Sequence, residues 1–339
     1  MSAQRVLIVG PSWVGDMVMT QSLVFYLKTL DQHCQIDVLA PPWALAVVDK
    51  MPDVDAGIEL PIGHGVFALK QRYQIGRNLR KRGYTRAIVL PSSWKSALIP
   101  FFAEIPWRTG YIGECRWGLL NDARKLDKQS LKRTVDRFVA LGAEQATSTI
   151  AISAPRLQAN PDNAQQLRQQ FCAGEHQSPV MAICPGAEFG SAKQWPGSHY
   201  ASIIRHYASC GWAIWLFGSV NDQSVCREIR TMADVECTDF SGQTTIQEAI
   251  DLMSLSSIAV SNDSGLMHIA AALEKPLVAL YGSSNPVATP PLGDHVLSLS
   301  LSLLCSPCFQ RECRYGHRNC LTQMQPEFVI EQIDRLCAY

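Results

Sequence analysis

The chain lacks any uninterrupted apolar stretch near the ~18 residues that a membrane-spanning helix requires, so membrane contact is expected at its surface only. Its first apolar run, Arg5-Val6-Leu7-Ile8-Val9, is too short for a signal-peptide core and is followed by no small-residue cleavage site. Both absences point to a cytoplasmic protein, in which twelve cysteines read as thiols rather than disulfides. Neither half carries the G-x-G-x-x-G fingerprint, which argues against a dinucleotide oxidoreductase. No Gly-Lys-Ser/Thr ends a glycine loop, so the chain is not a P-loop NTPase. Acidic pairs of the kind that hold magnesium are nearly missing: Asp53-Val54-Asp55 is the one Asp-x-Asp, and it reads as surface carboxylates. Internal repeats and low-complexity tracts are absent as well.

What is present is a globular composition, with 339 residues, 47% of them hydrophobic and 18% charged, comfortable for two domains of ordinary size. Strand-like runs at Val6–Val9, Ile36–Leu39 and Ala87–Leu90 alternate with helical patterns at Met17–Leu30 and Gln71–Lys81. The alternation restarts at Val180–Cys184 and continues through Ala213–Phe217, Ile258–Val260 and Leu277–Tyr281. Strands alternating with helices imply parallel sheets covered on both faces, hence an α/β chain of two doubly wound, Rossmann-like domains. The domains are expected at residues 1–165 and 175–322, linked through a polar, Gln-rich region between Pro155 and Pro179. A terminal helix lies in residues 323–339.

Two strand-to-helix turns carry the chemistry. The first strand leads through Gly10-Pro11-Ser12-Trp13-Val14-Gly15 into a helix that opens near Asp16. An acid there is favoured by the helix dipole whatever else it does. The second turn is Ser261-Asn262-Asp263-Ser264-Gly265-Leu266-Met267-His268, after the apolar run Ile258-Ala259-Val260. Backbone N–H groups at such a helix start suit an anion, although Asp or Ser at that position also serves as a plain N-cap.

These turns do not stand alone. Val14-Gly15-Asp16-Met17-Val18, Pro185-Gly186-Ala187 with Lys193-Gln194-Trp195-Pro196, and Asn262 through His268 follow one another in an order that resembles the ADP-heptose:lipopolysaccharide heptosyltransferases of glycosyltransferase family 9. Gly282-Ser283-Ser284-Asn285-Pro286 and Cys305-Ser306-Pro307-Cys308 resemble the branch that adds the second heptose. The resemblance extends over essentially the whole chain, and its strength lies in the ordered set rather than in any single motif.

The resemblance implies a GT-B architecture, two domains facing across a cleft, with the terminal helix packing back on the first. It also implies an inverting transfer of L-glycero-D-manno-heptose from ADP-heptose to the first heptose of a phosphorylated lipid A–core acceptor. Asp16 matches the catalytic aspartate and is expected to act as the base; orientation of the acceptor and helix capping are its rival roles. Lys193 brings a compact positive charge to the leaving diphosphate, and Ser264, Gly265, Leu266 and Met267 add helix-start N–H groups. That set needs no metal ion, and no cofactor is expected. Asp222 is the candidate for the ribose hydroxyls, with Asn221 as a rival and helix capping as the plain alternative. Asp263 is expected to order the phosphate loop or touch the sugar, and His268 either packs or contacts ligand. Another nucleotide sugar, the Kdo2-lipid A acceptor, or a non-catalytic sugar-nucleotide sensor are the competing readings.

Zero net charge conceals a concentration of 16 Lys and Arg against 5 Asp and Glu between Lys70 and Arg137. Within it Arg80, Lys81 and Arg82 are expected to bind the anionic acceptor or the inner face of the cytoplasmic membrane. The neighbouring Leu98-Ile99-Pro100-Phe101-Phe102 either dips into lipid or belongs to the core. No nucleic-acid module accompanies the basic block, and nucleic acid is not an expected partner. The chain is read as a monomer. Cys305, Cys308, Cys313 and Cys320 form a cluster that organises a loop through thiols or holds a structural zinc ion.

Overall fold

A computed structural model describes residues 4–63, 65–144, 150–172 and 178–338. The chain divides into two compact units, Met1–Pro155 and Arg156–Tyr339. Strands of the first unit are β1 Arg5–Val9, β2 Gln35–Ala40, β3 Ala56–Glu59, β4 Arg86–Val89, β5 Trp107–Tyr111 and β6 Asp122–Arg124. They form one parallel sheet in the order β3-β2-β1-β4-β5-β6. The second unit repeats the plan with β7 Val180–Cys184, β8 Ala213–Leu216, β9 Thr238–Asp239, β10 Ile258–Asn262, β11 Leu277–Leu280 and β12 Val296–Leu299. Its order, β12-β11-β10-β7-β8-β9, is the same topology, and both are the doubly wound order of a dinucleotide-binding sheet.

The central strands form because their runs suit burial on both faces. Val6-Leu7-Ile8-Val9 is almost wholly buried, as are Val180 through Cys184 and Ile258 through Asn262. Burying each Val, Ile or Leu contributes about 1.5–3 kcal/mol relative to exposure. Register follows from this: Val6 pairs Ile36 and Arg86, and Val260 pairs Ile183 and Val278. The strands not anticipated from sequence, β3, β5, β6, β9 and β12, lie outward of those runs and are short or only partly buried, so no apolar run marks them.

The unit boundary differs from the expected one. Residues 156–165, assigned by sequence to the first domain, belong to the second unit. Leu157 N donates to the Ala272 carbonyl at 2.8 Å, and Asp251, 1% exposed, accepts from Asn160 N and Asn163 Nδ2 at 2.7 and 2.8 Å. The helix Pro161–Phe171 is thereby fastened beside Ile246–Met253. The expected start of the second domain, residue 175, lies outside the described residues.

The terminal helix is Pro326–Cys337, and the sequence expectation for it is packing back on the first domain. It is part of the second unit, with Val329 and Ile333 fully buried in that unit's core. Tyr207 Oη donates to Asp334 at 2.7 Å and fixes its contact with the helix Gly197–Ser209. The helix has one apolar stripe, and it packs in the core of its own unit. Among the described residues no helix is long and apolar enough to cross a membrane.

Candidate active site

In an open α/β sheet, ligands bind beyond the carboxyl ends of the strands where the chain order reverses. That point lies between β1 and β4 in the first unit and between β7 and β10 in the second.

In the first unit the chain leaves β1 at Val9, turns through Gly10–Trp13 and enters the helix Val14–Leu30. Asp16 sits in its first turn, where the dipole stabilises a carboxylate. The helix is locked there by Met17 N to the Trp13 carbonyl at 2.9 Å, and Thr20 Oγ1 returns to the Asp16 carbonyl at 2.9 Å. Asp16 lines a cavity of about 670 Å³ walled by the loops after β1, β2, β4 and β5. Arg72, Lys95 and Arg137 bring positive charge to its lining. Two arginines brace the walls from inside. Arg72, 5% exposed, donates to the carbonyls of Phe67, Val66 and Lys95, and Arg116, 2% exposed, to those of Tyr111 and Pro91. Burial pulls the Arg116 guanidinium down to about 10, so it remains protonated at neutral pH.

Arg80, Lys81 and Arg82 are not brought to this cavity. They form a single 3-10 turn just before β4, at the amino edge of the sheet, whereas Asp16 follows the carboxyl end of β1. Arg80 is held by Glu104 at 2.9 Å and by the Phe102 carbonyl at 2.8 Å. Arg82 pairs with the buried Asp37 at 3.1 Å and gives its own carbonyl to Arg5 Nη1 at 2.9 Å. Sequence proximity of charges does not report which end of a strand they occupy. The cations that do line the cavity include Lys95 and Arg137. Leu98, Ile99 and Pro100 are buried, so that apolar stretch serves the core, with Phe101 at the surface. Asp55 accepts Ile36 N at 2.7 Å and pairs with Lys28 at 3.4 Å, a structural use of the Asp-x-Asp.

In the second unit the corresponding point is densely bonded. Asn262, fully buried at the end of β10, accepts from Trp195 N at 3.1 Å and Tyr200 Oη at 2.9 Å, and donates to the Pro185 carbonyl at 2.5 Å. One side chain thus ties together the loop after β7, the Lys193–Trp195 segment and the turn after β10. Lys193 Nζ lies 2.6 Å from Asp263 Oδ2, and both are largely enclosed. Ser264 begins the helix Gly265–Ala272 with no side-chain bond to its own first turn, so that turn's N–H groups are uncapped by Ser264. Lys193 Nζ and the Arg311 guanidinium lie 5.0 and 5.3 Å from the Phe189 ring centre. Arg311 reaches that position because its carbonyl accepts Ala192 N at 3.0 Å. Gly190, at φ +148°, makes room, since a Cβ there would stand 2.4 Å from the same carbonyl.

His268, 5% exposed, lies on that helix, and burial pushes its pKa down to about 4 against the partial opposition of Asp263. The imidazole is neutral at physiological pH. Asp222 accepts from Ser219 N and Oγ at 2.8 and 2.7 Å, the capping role weighed from sequence. It also packs on Gly186, where a Cβ would meet its carboxyl at 2.4 Å, and so stands at the mouth of the loop after β7. Among the described residues, the hydroxyls of Ser283 and Ser284, just beyond β11, are buried and have no hydrogen-bond partner.

Residues 72–318 match the family described as Glycosyltransferase family 9 (heptosyltransferase). The chain belongs to glycosyltransferase family 9. This family 9 glycosyltransferase is 40% identical to Lipopolysaccharide heptosyltransferase 2 of Salmonella typhimurium over 98% of both chains. It is 43% identical to Lipooligosaccharide heptosyltransferase 2 of Haemophilus ducreyi, over 98% of this chain and 99% of that one. The solved structure of Escherichia coli ADP-heptose lps heptosyltransferase II superposes with a TM-score of 0.87 at 38% identity, covering 99% of each chain. A family 9 structure from Veillonella parvula reaches 0.86 over 99% and 97% at 18% identity, a likeness of fold. The two doubly wound units are thus those of the GT-B fold that the sequence resemblance implied.

Sequence reading of this family 9 glycosyltransferase missed Asn262 as an organiser and Arg311 as a neighbour of Lys193. Asn262 stood inside a recognised motif, but its partners lie 62 to 77 residues away, beyond the reach of spacing arguments. Among the described residues no group of three or more His, Cys, Asp or Glu is placed to hold a metal ion, the four clustered cysteines included. They are neighbours all the same: burial raises the Cys320 thiol pKa first, and Cys305, Cys308 and Cys313 add to it. The segment serves as a roof, with Phe309 N donating to the Ser283 carbonyl at 2.7 Å.

Proposed function

We propose that this chain transfers L-glycero-D-manno-heptose from ADP-heptose to the first heptose of the lipopolysaccharide inner core, adding the second heptose with inversion. The observation that carries the reading is the Lys193–Asp263 pair at the helix start after β10. It sets an ammonium beside backbone N–H groups at the switch point of a nucleotide-binding sheet, the arrangement a departing diphosphate needs. Asp263 holds the ammonium in place and orders the turn; its own charge disfavours direct contact with phosphate. On arrival of the donor, Lys193 exchanges carboxylate for diphosphate oxygens, and Arg311 supplies a second positive charge. Met267 and His268 line the sugar side, the neutral imidazole able to donate or accept. Asp222, at the mouth of the loop after β7, takes the ribose hydroxyls through whatever capacity its capping bonds leave.

Asp16 acts as the base. It removes the proton from the acceptor hydroxyl as that oxygen attacks the anomeric carbon, and ADP departs from the opposite face. The cavity it lines is large enough for the reacting sugar of the acceptor, and Lys95 and Arg137 meet the acceptor's anionic groups. The protein works without a metal ion, as a monomer in the cytoplasm at the inner face of the membrane.

The test is the mass of the product after incubation with ADP-heptose and heptosyl-Kdo2-lipid A, with and without EDTA, for the wild type and Lys193→Ala. Gain of one heptose, insensitive to EDTA and reduced by about 10²-fold or more in the variant, is expected. Transfer to Kdo2-lipid A alone would move the enzyme to the alternative acceptor. Binding of ADP-heptose without turnover would make it a sensor.

A further inference from the structure

Four of the eight tryptophans are strongly exposed: Trp13, Trp43, Trp94 and Trp117, at 48, 40, 39 and 67%. All four lie in the first unit, in the loop or the first helical turn that follows the carboxyl end of β1, β2, β4 or β5. The loop after β3 supplies the corresponding residue, Phe67, 42% exposed, with its ring centre 4.9 Å from that of Trp94. Five successive strands therefore each deliver one large exposed aromatic to the same edge. Trp13 and Trp94 line the Asp16 cavity, Trp43 Nε1 donates to the Ser12 carbonyl at 2.8 Å and Phe67 packs on Trp94, so these four stand at the cavity, with Trp117 on the neighbouring loop after β5. Scattered single apolar residues need no explanation, but a contiguous aromatic rim does. In the second unit Trp195 and Trp215 are buried, as tryptophan normally is in a core.

The loop after β6 completes the edge with different chemistry. Lys125, Lys128 and Lys132 are exposed there, and the same stretch supplies Leu126, Thr134 and Arg137 to the cavity. Exposed tryptophans flanked by lysines match the headgroup layer of an anionic bilayer, where indoles sit at the water boundary and lysines meet lipid phosphates.

We infer that the carboxyl edge of the first sheet is a membrane-docking face: its aromatic rim seats in the headgroup region of an anionic bilayer and opens the Asp16 cavity toward a lipid-anchored acceptor. The inference rests on the lipid acceptor proposed above, and it moves the membrane contact from the amino-edge arginines to the opposite edge of the sheet. Docking there places the base where an acceptor sugar emerges from the lipid layer, so the acceptor need not leave the membrane to react.

The probe is sedimentation with vesicles of phosphatidylethanolamine and phosphatidylglycerol, comparing the wild type with Phe67→Ser/Trp117→Ser. Neither residue lines the cavity, and both side chains are exposed, so folding should persist; thermal unfolding checks this. The double variant is expected to bind about tenfold or more weakly, while its transfer to a deacylated, water-soluble acceptor stays within about twofold of the wild type. A second variant, Lys125→Ser/Lys128→Ser/Lys132→Ser, should lose most of the salt dependence of binding. Wild-type protein that ignores vesicles at low salt, or a double variant that binds as well as the wild type, would overturn the inference. So would a changed oligomeric state with unchanged vesicle binding, which would make the rim a contact between copies. Vesicle binding through the rim without transfer to the soluble acceptor would leave the docking face standing and sink the proposed reaction.

Discussion

The two sheets share a topology and differ in what they place at the reversal point. In the first unit the loops after β1 and β4 stand apart around an open cavity with a carboxylate, cations and an aromatic mouth. In the second the loops after β7 and β10 are drawn together by Asn262 and by Lys193–Asp263 into a site rich in donors. Under the proposed function, one arrangement receives a hydroxyl-bearing acceptor of some bulk and the other a small, highly charged group. The same backbone plan would then serve general-base chemistry in one half and anion stabilisation in the other. Side chains at the strand ends make the difference, as expected when function resides in sites grafted on a fold.

If that division of labour is right, the largest effect belongs to Asp16. Asp16→Asn keeps shape and removes the base, so kcat should fall by about 10²- to 10⁴-fold, with ADP affinity, measured by calorimetry, unchanged. A loss confined to acceptor KM would reduce Asp16 to an orienting group and blur the contrast between the halves.

The second unit is probed next by Asn262→Ala. It strands Trp195 N, the Tyr200 hydroxyl and the Pro185 carbonyl in a buried setting, at a cost of about 3 kcal/mol or more in denaturant unfolding. Donor KM should rise as the Lys193 segment loosens. Normal stability with this variant would mean that the three loops are held by something other than Asn262.

His268 yields a pH signature. Its folded pKa, about 4, lies below the ordinary 6.5, so below pH 6.5 the unfolded chain takes up a proton that the folded one refuses. The contribution is complete above about pH 6.5, declines as pH falls, and levels off below about pH 4, with a total on the order of 3 kcal/mol. Replacing His268 with Asn should flatten the stability–pH curve in that window. A slope unchanged by the substitution would assign it to other groups.

The smallest effect is expected at Ser283. Its buried hydroxyl has no partner among the described residues, so Ser283→Ala should leave stability unchanged or raise it by up to about 1 kcal/mol. A marked loss would reveal a bond formed in solution by that hydroxyl and make this edge more tightly built than described.

Much of the local structure around the proposed site was legible in the sequence because its parts are local. Asp16 in a first helical turn and the Ser264–Gly265 helix start follow from a buried strand giving way to a helical pattern within a few residues. Lys193 was legible through the ordered motif set. Asp222 was seen as a cap or a ribose ligand, and its capping bonds to Ser219 span only three positions. What stayed hidden depended on distant partners. The basic block was plain as composition, yet Arg82 answers to Asp37, 45 residues away, and so stays at the amino edge. The terminal helix was visible in the sequence, and its burial in the second unit's core follows from partners such as Tyr207, 127 residues from Asp334.

The sequence by itself determined the two doubly wound sheets, the nature of the two turns and the residues that carry charge into them. Periodicity, burial preference and helix-start chemistry act over a few residues, and they are written in order along the chain. Only the tertiary structure decided which charges face the cavity, which unit holds the terminal helix, and that five exposed aromatics follow the carboxyl ends of five successive strands. Those outcomes depend on which strand ends lie side by side, and parallel strands joined by crossovers bring together residues that no local spacing relates.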